Sequence, residues 1–248
     1  MSKQRPLLVL FLLAIIFPLM TWGQKADRIL IFTKTRGYAH ASIPAGVEAM
    51  QEIAAKRNIQ VDTTSNVEWF TSEKLKPYAA LVFISTNGSV LNEEQREAFK
   101  EYIHSGGGFM GVHGASAGAR TWPWYQEMVG GAFSSHPEPK EGVLLRGNLL
   151  HPINRDFPEH MVWKDEWYNF SQVEEGLTIL LWADEASYIG GEYGKNHPIA
   201  WIRDFEGGRS FYTALGHFSY HFTDAIFRKH LEAGLLYAMG KDAETASF

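Results

Sequence analysis

Gly106-Gly107-Gly108-Phe109-Met110-Gly111-Val112-His113-Gly114-Ala115-Ser116-Ala117-Gly118 opens on glycines that stop a helix, continues as a short apolar run, and ends in a histidine followed by a turn of small residues. A buried strand giving way to a nearly side-chain-free turn is how open α/β sheets present one reactive group at their carboxyl edge. His113 is therefore the expected centre of the site.

Upstream of this stretch, Asn92 with Gln95 three residues on makes a capping-box start, and Phe99, Tyr102 and Ile103 supply the buried stripe of the helix that the glycines end. Residues 78–85 (YAALVFIS) are continuously apolar, as a central parallel strand covered on both faces must be. Residues 28–33 (RILIFT) form the first strand and feed a polar loop ending at His40. Ser42 as a cap and Pro44 in the first turn introduce a helix that runs to Arg57, and residues 59–63 read as an edge-like strand. The alternation predicts a doubly wound, mostly parallel α/β sheet in which 78–85 and 109–113 are adjacent parallel strands.

Downstream the pattern is less regular. Trp122-Pro123-Trp124-Tyr125 opens a short helix to Val129, residues 130–137 read as a loop, and 143–149, 177–182, 198–203 and 209–214 as strands. Residues 205–208 make a turn between the last two strands, and residues 224–239 form a closing amphipathic helix.

Lys3 and Arg5, an apolar run over residues 7–20 and small residues before a cut after Gly23 predict a secretory signal peptide over residues 1–23. An uncleaved membrane anchor is the alternative, against which Pro18 interrupts the run. The remainder, residues 24–248, suits one domain with a sizeable core. Without Lys3 and Arg5 the chain keeps 21 basic against 28 acidic residues, a formal charge of −7. No basic stripe is present, which argues against nucleic acid as a partner. The chain has no cysteine, so neither a thiol nucleophile nor a disulfide framework is available. The expected address is secreted, the periplasm in a double-membraned bacterium, with no stable membrane insertion after cleavage.

Ten histidines stand out, and His40, His113 and His217 follow predicted strands, whose carboxyl ends converge on one crevice in a parallel sheet. A lone histidine beside an apolar run is more often structural than functional, and it is their convergence that points to function. Gly114-Ala115-Ser116-Ala117-Gly118 also matches the serine-hydrolase elbow G-x-S-x-G, with Asp184 or Asp204 and then His217 in an allowed triad order. Against it, the apolar run ends at His113, which puts His113 rather than Ser116 at the turn. Asp165 and Glu166 sit among Trp163, Trp167 and Tyr168, and on a strand only one of the two can face a given pocket. Aromatic neighbours would raise that carboxyl's pKa towards the working range. His136, and His217 with His221 four residues on, could add ligands for zinc or a similar divalent ion. No P-loop or dinucleotide glycine fingerprint is present.

Taken in order, Arg36-Gly37-Tyr38-Ala39-His40, residues 107–113, residues 122–125 with 130–137, Asp165-Glu166-Trp167-Tyr168, and residues 198–201 through 209–217 resemble the trehalose-utilisation (ThuA-like) family across essentially the whole mature chain. The resemblance implies a three-layer α/β fold of the class I glutamine amidotransferase-like (flavodoxin-like) type and a role in carbohydrate breakdown passing through 3-keto-glycosides. Glutamine amidotransferases carry a cysteine at the elbow; His113 stands there in this chain, which puts glutaminase chemistry out of reach.

Together these readings describe an exported enzyme acting on glycosides or their 3-keto derivatives by hydrolysis, elimination or isomerisation. His113, Glu166 and His217 are the expected catalytic groups. Tyr38, His40, Trp122, Trp124 and Tyr168 are the expected substrate contacts, and His113, His136 and His217 the expected ligands of a divalent metal such as zinc. The expected partners are a small carbohydrate and, at most, a second copy of the chain as a homodimer. A non-catalytic carbohydrate-binding protein is the alternative from a different class. Titratable groups gathered within hydrogen-bond reach would favour the enzyme; an aromatic trough without them would favour binding.

Overall fold

The computed structural model describes residues 27–118, 121–148 and 151–241, so the leader expected over residues 1–23 lies outside the described residues. The first half alternates strands and helices: β1 (Arg28–Phe32), α1 (Ile43–Lys56), β2 (Gln60–Thr64), α2 (Ser72–Leu75), β3 (Ala80–Ile84), α3 (Glu93–His104) and β4 (Gly108–Val112). It is followed by α4 (Pro123–Val129), β5 (Gly131–Ser135), β6 (Lys140–Arg146), β7 (His160–Asp165), β8 (Asn169–Val173), β9 (Thr178–Asp184), β10 (His197–Phe205), β11 (Gly208–Thr213) and α5 (Ala225–Ala238). Among the described residues no helix is long and apolar enough to cross a membrane.

Nine strands form one sheet in the order β2-β1-β3-β4-β11-β10-β9-β6-β7. From β2 to β11 neighbours are parallel, and from β11 to β7 they are antiparallel. The doubly wound pattern therefore describes one half of the sheet, and an antiparallel half completes it, in which the β6–β7 pair adds beyond β9 through β6. β3 and β4 pair in parallel as their apolar runs predict, and every residue of both is buried. On one face Phe83 and Phe109 pack against Phe99 of α3. On the other, α5 approaches so closely that a Cβ on Gly108 would run into the carbonyl of Ala238. Helices on both faces make the three layers, and the capping box at Asn92 and Gln95 is formed as read.

Three local readings change. Ser42 makes no cap bond to α1; it is buried, and its Oγ donates to the carbonyl of Gly216 at 2.9 Å. Residues 130–137 are not all loop, because β5 pairs antiparallel with β8, a strand not anticipated, in a separate two-stranded ribbon. A strand whose one large apolar residue, Phe133, stands among Gly, Ala and Ser offers no hydrophobic alternation to read, and its partner lies about forty residues further on. The inward face of α5 also includes a histidine: His230 is buried against Phe157, Phe211 and Phe227.

Burial pushes the His230 ring down to about 3, and neither ring nitrogen has a hydrogen-bond partner among the described residues. The unfolded chain, titrating near 6.5, then binds more protons than the folded one at intermediate pH. Stability should be undiminished above pH 6.5 and fall as the pH drops towards 3, by up to about 1.4 kcal/mol per pH unit from this group. Urea unfolding across that range should show the slope, and His230→Phe should flatten it; an equal slope in the variant would assign the acid sensitivity elsewhere.

Candidate functional site

β4 ends at Val112, and the next residue, His113, has φ +51°, a left-handed conformation seldom adopted outside glycine. The chain turns there into a 3-10 segment, His113–Ala117. Small residues are required around it: a Cβ on Gly114 would stand 3.2 Å from the backbone of Ser85. Two buried tyrosines lock the turn, Tyr212 donating to the carbonyl of His113 at 2.9 Å and Tyr125 to that of Ala115 at 2.9 Å. The histidine is thus held in a strained conformation at the carboxyl edge, as is Ser85 at the end of neighbouring β3.

The His113 ring is fully buried. Its Nδ1 lies 2.7 Å from the carbonyl of Ala214, which can only accept, so the proton sits on Nδ1 and the Nε2 lone pair points into the site. The Tyr168 hydroxyl donates to that Nε2 at 3.0 Å, and Glu166 Oε2 lies 3.2 Å from it.

Glu166 follows the last residue of β7, and three more imidazoles surround it. His217 Nδ1 stands 3.1 Å and His40 Nε2 4.0 Å from Oε2, while His136 Nε2 lies 3.5 Å from Oε1. His40 comes from the loop after β1, His136 from just beyond β5, and His217 from beyond β11. Burial opposes ionisation of Glu166, yet the close imidazoles of His113, His217 and His40 outweigh it and hold the carboxyl far below the usual range. The rise expected from aromatic neighbours does not occur, since imidazoles are nearer than the rings. Burial lowers His40 despite Glu166; at His217 the pairing with Glu166 overcomes burial and raises the ring.

Asp165 points the other way and is fully buried. Its Oδ2 accepts from Trp163 Nε1 and the Gly216 amide, both at 3.0 Å. Its Oδ1 accepts from the amides of Glu166 at 2.9 Å and His217 at 3.2 Å. This carboxylate ties the loop after β11 to the end of β7, placing Glu166 and His217 together. Gly216, at φ +119°, permits the tight passage, where a Cβ would press on Phe222 and Val112.

Above the cluster opens a pocket of about 760 Å³ walled by Tyr38, Phe133 and Tyr168, with Asn87 and Glu138 as polar margins. His40, His136, Glu166 and His217 all reach it. Trp122 and Trp124 do not. They stack on each other beside α3, and Trp124 Nε1 donates to Glu206 at 2.7 Å, because α4 packs onto the outer helical layer. The aromatic wall that was not anticipated, Phe133, is carried in by the β5–β8 ribbon.

The serine triad is not assembled. Ser116 is buried with its hydroxyl on Tyr212 at 2.7 Å, Asp184 caps a turn after β9, and Asp204 accepts from Tyr237. His221 turns away from the pocket and bonds the carbonyl of Lys164 at 2.9 Å. One ligand atom each from His40, His113, Glu166 and His217 lie within 4.8 Å of one another, a donor set able to hold a divalent ion, with His136 outside the group. His40, read from the sequence as a substrate contact, and Glu166 join that set.

The sequence model of the family described as trehalose utilisation (ThuA) matches residues 28–238. A ThuA-like protein of Bacteroides uniformis superposes with a TM-score of 0.72 at 22% identity, covering 91% of this chain and 96% of its own. A ThuA-like protein of Parabacteroides merdae gives 0.68 at 20% identity, covering 88% and 92%. PurLQS from Thermotoga maritima gives 0.54 at 11% identity, covering 85% and 98%. A search of curated proteins returned no match. The large mixed sheet between two helical layers is thus shared with ThuA-like and glutamine amidotransferase-like folds.

Proposed function

We propose that this chain, which belongs to the trehalose-utilisation (ThuA) family, is an exported enzyme of carbohydrate breakdown acting on glycosides or their 3-keto derivatives. The gathering of four imidazoles within 4.0 Å of one carboxylate, three of them lining an aromatic-walled pocket with it and His113 buried beneath, supports catalysis over mere binding. The pocket lies in the range usual for small-molecule sites, roughly 300–1,000 Å³. Tyr38, Phe133 and Tyr168 offer flat apolar surfaces to sugar faces, and the polar margins offer partners for hydroxyl groups.

Cleaving or isomerising a 3-keto-glycoside begins by removing the proton on the carbon beside the ketone, with a positive or hydrogen-bonding group held on the carbonyl oxygen. Glu166, kept anionic, is a poor base but a good anchor. The base in this reading is His136. Its Nδ1 is 2.9 Å from the carbonyl of Pro137, which leaves the Nε2 lone pair to take the proton beside Glu166 Oε1. The resulting imidazolium would be paired with the carboxylate as it forms. The side of the carboxylate on which His217 and His40 stand would face the developing enolate oxygen.

The test is to incubate the purified protein with glycosides and with their 3-keto derivatives and follow product formation. Turnover confined to the keto derivatives, cut about a hundredfold in His136→Ala, is expected. Sugar binding without turnover of either series would leave a binding protein in its place.

A further inference from the structure

We infer that the pocket floor is a mononuclear site for a divalent transition-metal ion, with His40 Nε2, His113 Nε2, His217 Nδ1 and Glu166 Oε2 as its ligands. The inference rests on reading this pocket as the reaction site, and it adds what sits there.

Three observations carry it. First, Glu166 Oε2 faces three imidazole nitrogens at 3.1, 3.2 and 4.0 Å, yet it and His217 Nδ1 are buried atoms with no hydrogen-bond partner among the described residues. One carboxylate oxygen does not need three rings for proton transfer, and buried polar atoms do not ordinarily go unpartnered. Second, the rings stand edge to face, at 84° for His40 with His113, 89° for His40 with His217 and 63° for His113 with His217. Rings set edge to face are not stacked on one another, which leaves their nitrogens able to turn towards one point, as ligands of one ion do. Zinc with bonds of about 2.0–2.1 Å in tetrahedral geometry keeps neighbouring ligand atoms about 3.4 Å apart. The four atoms here, all within 4.8 Å of one another, enclose a space that contracts to that geometry with small side-chain shifts.

Third, the surroundings suit a metal ligand. His113 donates Nδ1–H to the carbonyl of Ala214, the outer-shell contact that fixes a ligating tautomer. An ion there would displace the Tyr168 hydroxyl from Nε2. Three imidazoles and one carboxylate favour zinc, cobalt, nickel or ferrous iron over magnesium or calcium, which prefer oxygen. His136, on the opposite carboxylate oxygen, stays free to move a proton.

The experiment uses the full chain without a polyhistidine tag, loaded with zinc or cobalt(II), dialysed, and measured for bound metal and visible absorption. Expected are metal retained in stoichiometric amount and the visible bands of four-coordinate cobalt. Glu166→Gln, close to isosteric, should weaken binding by roughly a hundredfold or more, since even outer-shell partners are worth about 10–100-fold. His217→Ala should do the same, and His136→Ala should bind metal as the wild type does. Trace metal and no cobalt bands in a protein of normal circular dichroism would overturn the site, as would undiminished binding in Glu166→Gln. Turnover by rigorously metal-free protein would overturn this inference and leave the proposed function standing. Stoichiometric metal without turnover of any keto-glycoside would do the reverse.

Discussion

Replacing Glu166 by glutamine should lower turnover of a 3-keto-glycoside by a hundredfold or more while leaving the fold intact. Glutamine keeps the size of the side chain but removes the charge towards which His40, His113, His136 and His217 all point. An imidazolium formed at His136 would lose its counter-charge, and the groups facing the enolate would lose their anchor. Removing one such group commonly costs about 10²–10³ in rate. Steady-state turnover, with melting temperature as the check on folding, decides it. Ser116→Ala is the matched control: its hydroxyl is buried on Tyr212 and lines no part of the pocket. It should cost about 1 kcal/mol of stability and leave turnover near that of the wild type. If Ser116→Ala abolishes activity and Glu166→Gln does not, the pocket has been assigned the wrong chemistry.

Asp165→Ala should be the most destabilising single change around the site, by roughly 3–5 kcal/mol. The carboxylate is wholly buried and accepts from Trp163, Glu166, Gly216 and His217. Truncation leaves those four donors without their acceptor, out of reach of water. Asp165→Asn should fall between, because the amide keeps one acceptor oxygen but turns hydrogens towards backbone N–H groups. Urea unfolding measures both. A loss below about 1 kcal/mol for Asp165→Ala would mean that the loop after β11 is held by the bond from Ser42 to Gly216 and by packing instead. Asp165 is a positioning residue, so its variants should also lose turnover, but with weakened urea resistance that Glu166→Gln does not share.

The comparison of sequence with structure divides along the range of the interactions involved. Continuous apolar runs, a capping box and terminating glycines are all written between residues 78 and 113, so β3, α3 and β4, their adjacency and their parallel sense could be read directly. That the turn falls at His113 was likewise legible, because an apolar run ending against small residues is a local signal; its left-handed backbone was not. The choice of Glu166 over Asp165 depended on tertiary structure: neighbouring carboxylates look alike until one is met by amides from the loop after β11. The direction of the Glu166 pKa was decided the same way, by rings that arrive from beyond β1, β4 and β11. The pocket walls were misplaced onto Trp122 and Trp124 because the pairing of β5 with β8, which brings in Phe133, joins segments with no local pattern to announce it. The sequence by itself determined the parallel core and the edge at which chemistry could sit. Which side chains meet there was decided only by long-range strand order and by loops pinned through buried polar bonds, since such contacts leave no periodic trace along the chain.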